Sequence, residues 1–372
     1  MDVRLISIMI LLVVWTSSCD DDPPKPMPMG VDLTNITYDP VDYEINPPFG
    51  FPIFEVPEDN LITEDGVQLG RHLFYDPILS ADSTMSCSSC HLPSGSFTDN
   101  KKVSAGIDGI PGKRSSMSLM NVGYFYTGLF WDGRVNTLEE QALLPVEDPI
   151  ELHDTWQNVE EKLKNDVLYP ELFRKAFGIS NSDEITKELA VKAIAQFERI
   201  LISTGSKYDK VVAGVDGFSD EELLGFDLFF DENTDVPDAE CGHCHAPPLF
   251  TSGEYFNNGI DSVSDVSKES LLEFLDPGLG AVTLDTLDYG KFRSPTLRNV
   301  EFTAPYMHDG RFSTLREVLD HYNSGGHPAR NLDQNVKPLG LNEEELQALE
   351  AFIKTLSEPE FLNKEEYSNP FN

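Results

Sequence analysis

Basic residues are scarce in this chain. Twenty-seven Lys and Arg stand against 64 Asp and Glu, a formal net charge of −37. A phosphate backbone would be repelled by such a surface, so no nucleic-acid partner is expected. The excess fits an acid-rich solvated surface or a partner with a basic face. Long apolar runs are missing too. The one candidate, Ile6 to Trp15, is too short to span a bilayer comfortably, which leaves an anchor as the only route to a membrane. Strand-like alternation is sparse, which excludes a β-rich fold and points to a mainly α chain with little β structure. No histidine occurs between His91 and His153.

Spare cysteines are also absent. The five are Cys19, Cys87, Cys90, Cys241 and Cys244. The last four stand in two C-x-x-C-H motifs, Cys87-Ser-Ser-Cys90-His91 and Cys241-Gly-His-Cys244-His245, so no pair remains for a disulfide. Two thiols at this spacing can add to the two vinyl groups of one haem. The histidine that follows then lies under the iron as axial ligand. Two motifs imply two covalently held c-type haems, with His91 and His245 as the proximal ligands.

Cys19 follows Arg4, the apolar run and the small pair Ser17-Ser18. This reads as a secretion signal over residues 1–19, with Cys19 lipidated as the mature N-terminus. The alternative is ordinary cleavage nearby. Either reading exports the protein, to the periplasm or to the envelope of a Gram-negative-type bacterium as a lipoprotein. Residues 20–45 read as an acidic, Pro-rich tether.

The two motifs belong to a degenerate internal repeat. Leu69-Gly-Arg-His-Leu73-Phe74-Tyr-Asp76 stands upstream of the first, and Leu224-Gly-Phe-Asp-Leu228-Phe229-Phe-Asp231 upstream of the second. Phe97-Thr98 downstream is matched by Phe250-Thr251. Leu, Leu and Phe at i, i+4 and i+5 make one apolar helix face. Ile185, Leu189, Ile194, Phe197, Ile200 and Leu201 form a second amphipathic stretch. Leu346, Leu349, Phe352, Ile353 and Leu356 form a third, capped by Asn342 with Glu345 three residues on. The expected architecture is two cytochrome c-like haem domains related by duplication, over 46–205 and 206–357, followed by a polar tail over 358–372.

Three further stretches go beyond an electron carrier: Phe130-Trp131-Asp-Gly-Arg134 followed by Gln141, Pro145 and Glu151; Phe292-Arg-Ser-Pro-Thr-Leu-Arg298-Asn299; and Thr303-Ala-Pro305-Tyr-Met307-His308-Asp-Gly310 followed by His321-Tyr322. In this order, together with the haem motifs, they resemble the bacterial di-haem cytochrome c peroxidase family, including its MauG-type enzymes. The resemblance runs from about Leu69 to Leu356. It implies that Glu151 is the distal glutamate over the first haem, which Gln141 and Pro145 help to shape. It implies that Trp131 lies between the haems. It also implies a calcium ion between the domains, held by the backbone of Thr303 and Pro305, with Ser115 where the family commonly has asparagine. Family members are often homodimers.

Two positions depart from the commoner family pattern. Where many members carry a distal histidine that closes the first haem at rest, this chain has Ile107. Isoleucine cannot ligate iron, so the first haem is expected to be five-coordinate or water-bound at rest. Where typical peroxidases carry a methionine ligand to the second haem, fourteen residues after His308, this chain has Tyr322, as the MauG-type branch does. Met307 is the competing ligand, with His308 and His321 behind it.

The expected function is reduction of hydrogen peroxide to water. The electrons come from a small redox protein, a cytochrome c or a cupredoxin. The alternatives are MauG-like oxidation of residues on a partner protein and, outside the enzymes, a di-haem electron carrier. A carboxylate over an open iron face can take a proton from the bound peroxide oxygen and give one to the departing oxygen.

Overall fold

The computed structural model describes residues 30–46, 50–125, 128–263 and 274–371. The signal segment and Cys19 lie outside the described residues. Among those described, no helix is long and apolar enough to cross a membrane.

The first unit is built on helix α1 (Glu64–Tyr75). Thr63 caps it by accepting from Gly66 N–H, and Glu64 and Asp65 place negative charge at its start. Leu69, Leu73 and Phe74 on its inner face are fully buried, each stabilising by about 1.5–3 kcal/mol relative to exposure. Helices α2 (Leu138–Glu147), α3 (Trp156–Asn165) and α4 (Tyr169–Phe177) come next, and α5 (Lys187–Arg199) packs across α1. The crossing is close because position 70 is glycine: a Cβ there would lie 1.9 Å from the Ala193 carbonyl oxygen.

The second unit repeats this. After the short α6 (Lys207–Val212) comes α7 (Asp220–Phe230), capped reciprocally by Ser219 and Glu222. Then come the short α8 (Gly280–Thr283), α9 (Leu315–Ser324) and α10 (Glu343–Lys354). Helix α10 begins on the expected Asn342–Glu345 capping box and packs across α7. Gly225 is the counterpart of Gly70, since a Cβ there would lie 2.0 Å from the Ala348 carbonyl oxygen. Around this crossing, the rings of Phe229, Phe250 and Phe352 fill the interior. The described residues hold one two-stranded antiparallel sheet, β1 (Tyr255–Phe256) with β2 (Phe292–Arg293), in which Tyr255 faces Arg293.

Both terminal stretches need correction. Residues 30–45 do not behave as a tether. Leu33 is buried in the core of the first unit, Leu33 N–H bonds Ser180 O, and Glu64 N–H bonds Val41 O. Nor are residues 358–371 a polar tail. Phe361 and Tyr367 are buried in the first unit, with the Phe361 ring 5.9 Å from Phe97. Arg71 donates to Ser368 O at 2.6 Å and Glu365 O at 2.8 Å. The Glu358 carboxylate accepts from Ser203 Oγ and from the Thr204 and Gly205 N–H groups. Two aromatic rings and a set of buried polar bonds make this segment a strap from the second unit back onto the first.

Candidate functional site

Each attachment motif folds as a tight turn. Cys90 and His91 N–H groups both return to Cys87 O, and those of Cys244 and His245 to Cys241 O. His91 Nδ1 lies 2.9 Å from Phe97 O, and His245 Nδ1 lies 3.1 Å from Phe250 O. A carbonyl can only accept, so the proton is on Nδ1 and Nε2 keeps its lone pair for a metal. Phe97 and Phe250 adopt φ of +63° and +52°, the left-handed turn in which each presents this carbonyl. Burial depresses both histidines below the ordinary range, His245 to about 4, so both rings are neutral and able to ligate.

The cavity beside the second motif is lined by Cys241, Cys244, His245, Phe229, Met307 and Tyr322. Ser115 to Ser118 and Trp131 of the first unit complete its wall. The thiols on one edge, a ligating nitrogen in the floor and largely apolar walls fit a covalently bound haem.

The duplication extends beyond the attachment turns. The Phe130-Trp131-Asp-Gly-Arg134 stretch folds as Met307-His308-Asp-Gly-Arg311 does. Leu129 bridges Val135 as Tyr306 bridges Phe312, and Arg134 pairs with Asp132 as Arg311 does with Asp309. Phe130 and Met307 both have positive φ. Each stretch leads to a threonine-capped helix, α2 after Thr137 and α9 after Thr314. The eighth residue past each cap is Pro145 in α2 and Tyr322 in α9. The units also exchange bonds: Ser115 N–H donates to His308 O at 2.8 Å, and Arg293 N–H to Trp131 O at 2.9 Å. Trp131 Nε1–H donates to Ser115 O at 2.9 Å. Its ring therefore stands where the units meet, in the wall of the second cavity.

On the first side, Glu151 comes after α2 on a turn closed by its N–H on Asp148 O. Its carbonyl accepts from Ile107 N–H at 3.0 Å, so the loop that lacks a histidine is tied to the glutamate. The carboxyl reaches solvent but is otherwise crowded by protein. Burial, then Asp148, raises its pKa above the ordinary range, with Arg134 opposing. Its charge adds to the forces that hold the Cys87 and Cys90 thiols protonated, behind burial. Gln141 lies one helical turn before Pro145, and proline leaves the Gln141 carbonyl without its helical donor. His153, next but one to Glu151, is exposed and held by Asp108 at 2.7 Å.

On the second side, Tyr322 and Met307 converge. Asn258 Nδ2 lies 3.3 Å from Tyr322 Oη and 3.4 Å from Met307 Sδ. Burial holds the Tyr322 phenol up at about 12, and its surroundings include the Cys241 and Cys244 thiols. The two rival histidines have other contacts. His308 is stacked on Phe292 at 3.6 Å between ring centres, and His321 Nε2 meets Asn258 O at 2.9 Å. Asn258 does not stand out in the sequence, although it lies in an Asn-Asn-Gly run just after β1 that marks a sharp turn.

The positions expected at calcium, Ser115, Thr303 and Pro305, all line the second cavity. Ser115 Oγ donates to Met307 O at 3.0 Å and lies 3.3 Å from His308 O. Asn100 Nδ2 binds the neighbouring carbonyls of Phe302 and Ala304. Among the described residues, one group of three metal-ligating side chains lies together: Asp238, Glu240 and His243. Glu240 there already pairs with Lys337 and His243.

Comparison with known proteins points to one family. Residues 64–217 match the family model for di-haem cytochrome c peroxidase. The chain is 34% identical over 335 residues to the cytochrome-c peroxidase IdrP1 of Denitromonas iodatirespirans, covering 84% of this chain and 86% of that one. It is 33% identical over 300 residues to the methylamine utilization protein MauG of Methylorubrum extorquens, covering 81% and 80%. Among solved structures, a MauG-like protein associated with microbial copper homeostasis superposes with a TM-score of 0.79 at 33% identity, covering 89% of this chain and 100% of that one. Two attachment turns, two neutral histidines and a tryptophan of the first unit in the wall of the second cavity thus occur in a sequence with relatives of this kind along most of its length: the chain belongs to the di-haem cytochrome c peroxidase family, whose members are haem-dependent oxidoreductases carrying two haem c groups.

Proposed function

We propose that this chain reduces hydrogen peroxide to water at its first haem, with electrons from a small redox protein that docks near the second. One observation carries the reading: at matching places on α2 and α9 the first unit has Pro145 and the second has Tyr322. Proline offers no ligating atom and Ile107 offers none, so the first iron face is left to a small oxidant. The second face is served by Tyr322 or Met307.

The haems, when bound, supply electron transfer and cleavage of the O–O bond. The chain supplies positioning and proton handling. The Glu151 carboxylate takes a proton from the peroxide oxygen at the first site and returns it to the departing oxygen. Each peroxide consumes two electrons and two protons and leaves as two waters. Trp131, held at its N–H by Ser115 and at its carbonyl by Arg293, couples the two sites through the wall they share. A donor with a basic face, a cytochrome c or a cupredoxin, suits a chain of net charge −37. Its place is the periplasm or the envelope, held there by lipid on Cys19.

Glu151→Gln keeps the shape and removes the base. The reaction with stoichiometric peroxide, followed by stopped-flow absorbance, should slow by roughly 10²–10⁴-fold. An unchanged rate would remove Glu151 from the mechanism.

A second reading is oxidation of residues on a partner protein, as the MauG relatives suggest. Tyr322 favours it, because a phenolate oxygen stabilises ferric iron where a methionine sulfur raises the potential. After one equivalent of peroxide, rapid discharge by a reduced small cytochrome or cupredoxin supports the first reading. Discharge only by a protein that is itself covalently oxidised supports the second.

A further inference from the structure

We propose that Arg293 is the charge partner of a carboxylate carried by the group in the second cavity, and that this pairing sets that group's reduction potential beside Trp131. The inference rests on reading the second cavity as a haem site; haem carries two propionate carboxylates.

Arg293 is 4% exposed, yet among the described residues no carboxylate, carbonyl or hydroxyl accepts from its guanidinium. The other buried arginines are all paired. Arg298 meets both oxygens of Asp209 at 2.8 and 2.7 Å, and Arg199 meets Glu139 at 2.7 and 3.1 Å. Arg293 stands apart in a chain with 64 acidic residues. The nearby acids are engaged or turned outward: Asp132 is held by Arg114 and Arg134, and Glu254 is exposed. A guanidinium left alone in the interior is strongly unfavourable, so a protein keeps one where an anion meets it.

The geometry says where that anion lies. Arg293 lines the same cavity as Cys244, His245 and Trp131. Its guanidinium carbon sits 4.3 Å from the centre of the Phe125 ring, which fixes the plane of the fork while leaving its N–H edge unbonded. Its backbone cannot drift, being paired across β1–β2 and bonded to Trp131 O. A planar fork with free donors matches a carboxylate. Burial also depresses the pKa of Arg293 to about 10, the direction expected of a cation lacking its counter-charge. A fixed positive charge beside a redox group favours its reduced form, so Arg293 holds the second haem's potential up.

The test uses the holoenzyme, with Arg293→Met and Arg293→Lys beside the unaltered chain. Haem content is measured first, then both haems are titrated by spectroelectrochemistry at neutral pH. Arg293→Met should lower the potential of the second haem and leave the first in place, and Arg293→Lys should restore most of the loss. If the methionine variant loads one haem and the lysine variant two, the pairing is supported by retention instead. An unmoved second potential in Arg293→Met, or an equal fall at both haems, overturns the role of Arg293. Fewer than two haems in the unaltered chain overturns the two-haem reading itself.

Discussion

The two units share a framework and differ where chemistry happens. Both cross two helices over a glycine, both turn a left-handed phenylalanine carbonyl onto the proximal histidine, and both run from an Asp-Gly-Arg turn into a threonine-capped helix. The residue at the eighth helical position separates them. In α9 it is Tyr322, which reaches the cavity and meets Asn258. In α2 it is Pro145, which removes one hydrogen bond from inside the helix, two residues before its end and the turn that carries Glu151. Duplication can copy a haem-holding framework whole while a few positions change the side chains that each copy presents.

The largest effect should come from making the units alike. Pro145→Tyr places a phenol in the first unit where the second has one. The resting electron paramagnetic resonance signal of the first haem should then move toward that of the second, and reaction with peroxide should be lost. A variant that still reacts at the original rate would show that the matching positions on α2 and α9 do not face equivalent iron sides. Next in size is the strap. Phe361 comes from the end of the second unit but is buried against Phe97 of the first. Phe361→Ala should cost about 3–5 kcal/mol and should destabilise the first haem environment before the second. Thermal unfolding followed separately at the two haem bands checks this.

Much of the framework was legible because its signals are local. The attachment motifs, the Leu-Gly-x-x-Leu-Phe helices and the Asn342–Glu345 cap are each read within a dozen residues. The strap was not, since Phe361 and Tyr367 are two rings in a polar stretch and their partners, Phe97 and Tyr75, lie far back in the chain. Residues 30–45 were misjudged for the same reason, with Leu33 finding its pocket beside α4 and Ser180. The equivalence of Trp131 and His308 was visible as a repeated Asp-Gly-Arg, but it is masked by the change of the residue before it. Arg293 could not be singled out at all. An arginine without a carboxylate is recognisable only once every carboxylate has been placed.

A smaller effect sharpens the comparison at the paired helices α5 and α10. Glu198 comes after Phe197 as Ile353 comes after Phe352, so a carboxyl occupies in the first unit what an isoleucine occupies in the second. Glu198 is 4% exposed, and its Oε2 has no hydrogen-bond partner. Burial raises its pKa from the ordinary 4.5 to about 8, with Arg199 opposing and Glu139 adding. Below the ordinary value both folded and unfolded chains hold the proton, and the group imposes no penalty. As pH rises toward 8 the unfolded chain releases the proton first, and stability is lost through that window. Glu198→Gln should therefore match the unaltered chain near pH 4 and exceed it at neutral pH by the order of 1–3 kcal/mol. Equal denaturation midpoints at both pH values would mean that the carboxyl finds a partner when the haem is in place.

The smallest effect asks what holds the Ile107 loop, the stretch of the first unit that offers no side-chain ligand. Two contacts compete. One is the backbone bond from Ile107 N–H to Glu151 O, and the other is the exposed pair of His153 with Asp108. Exposed ion pairs contribute about 0–1 kcal/mol, because water screens them and the side chains lose freedom. A backbone bond beside a half-buried isoleucine is sheltered from both effects. Asp108→Asn should therefore change stability by less than about 1 kcal/mol and leave the Ile107 amide as protected from hydrogen exchange as before. Loss of that protection would mean that the exposed pair holds the loop on Glu151.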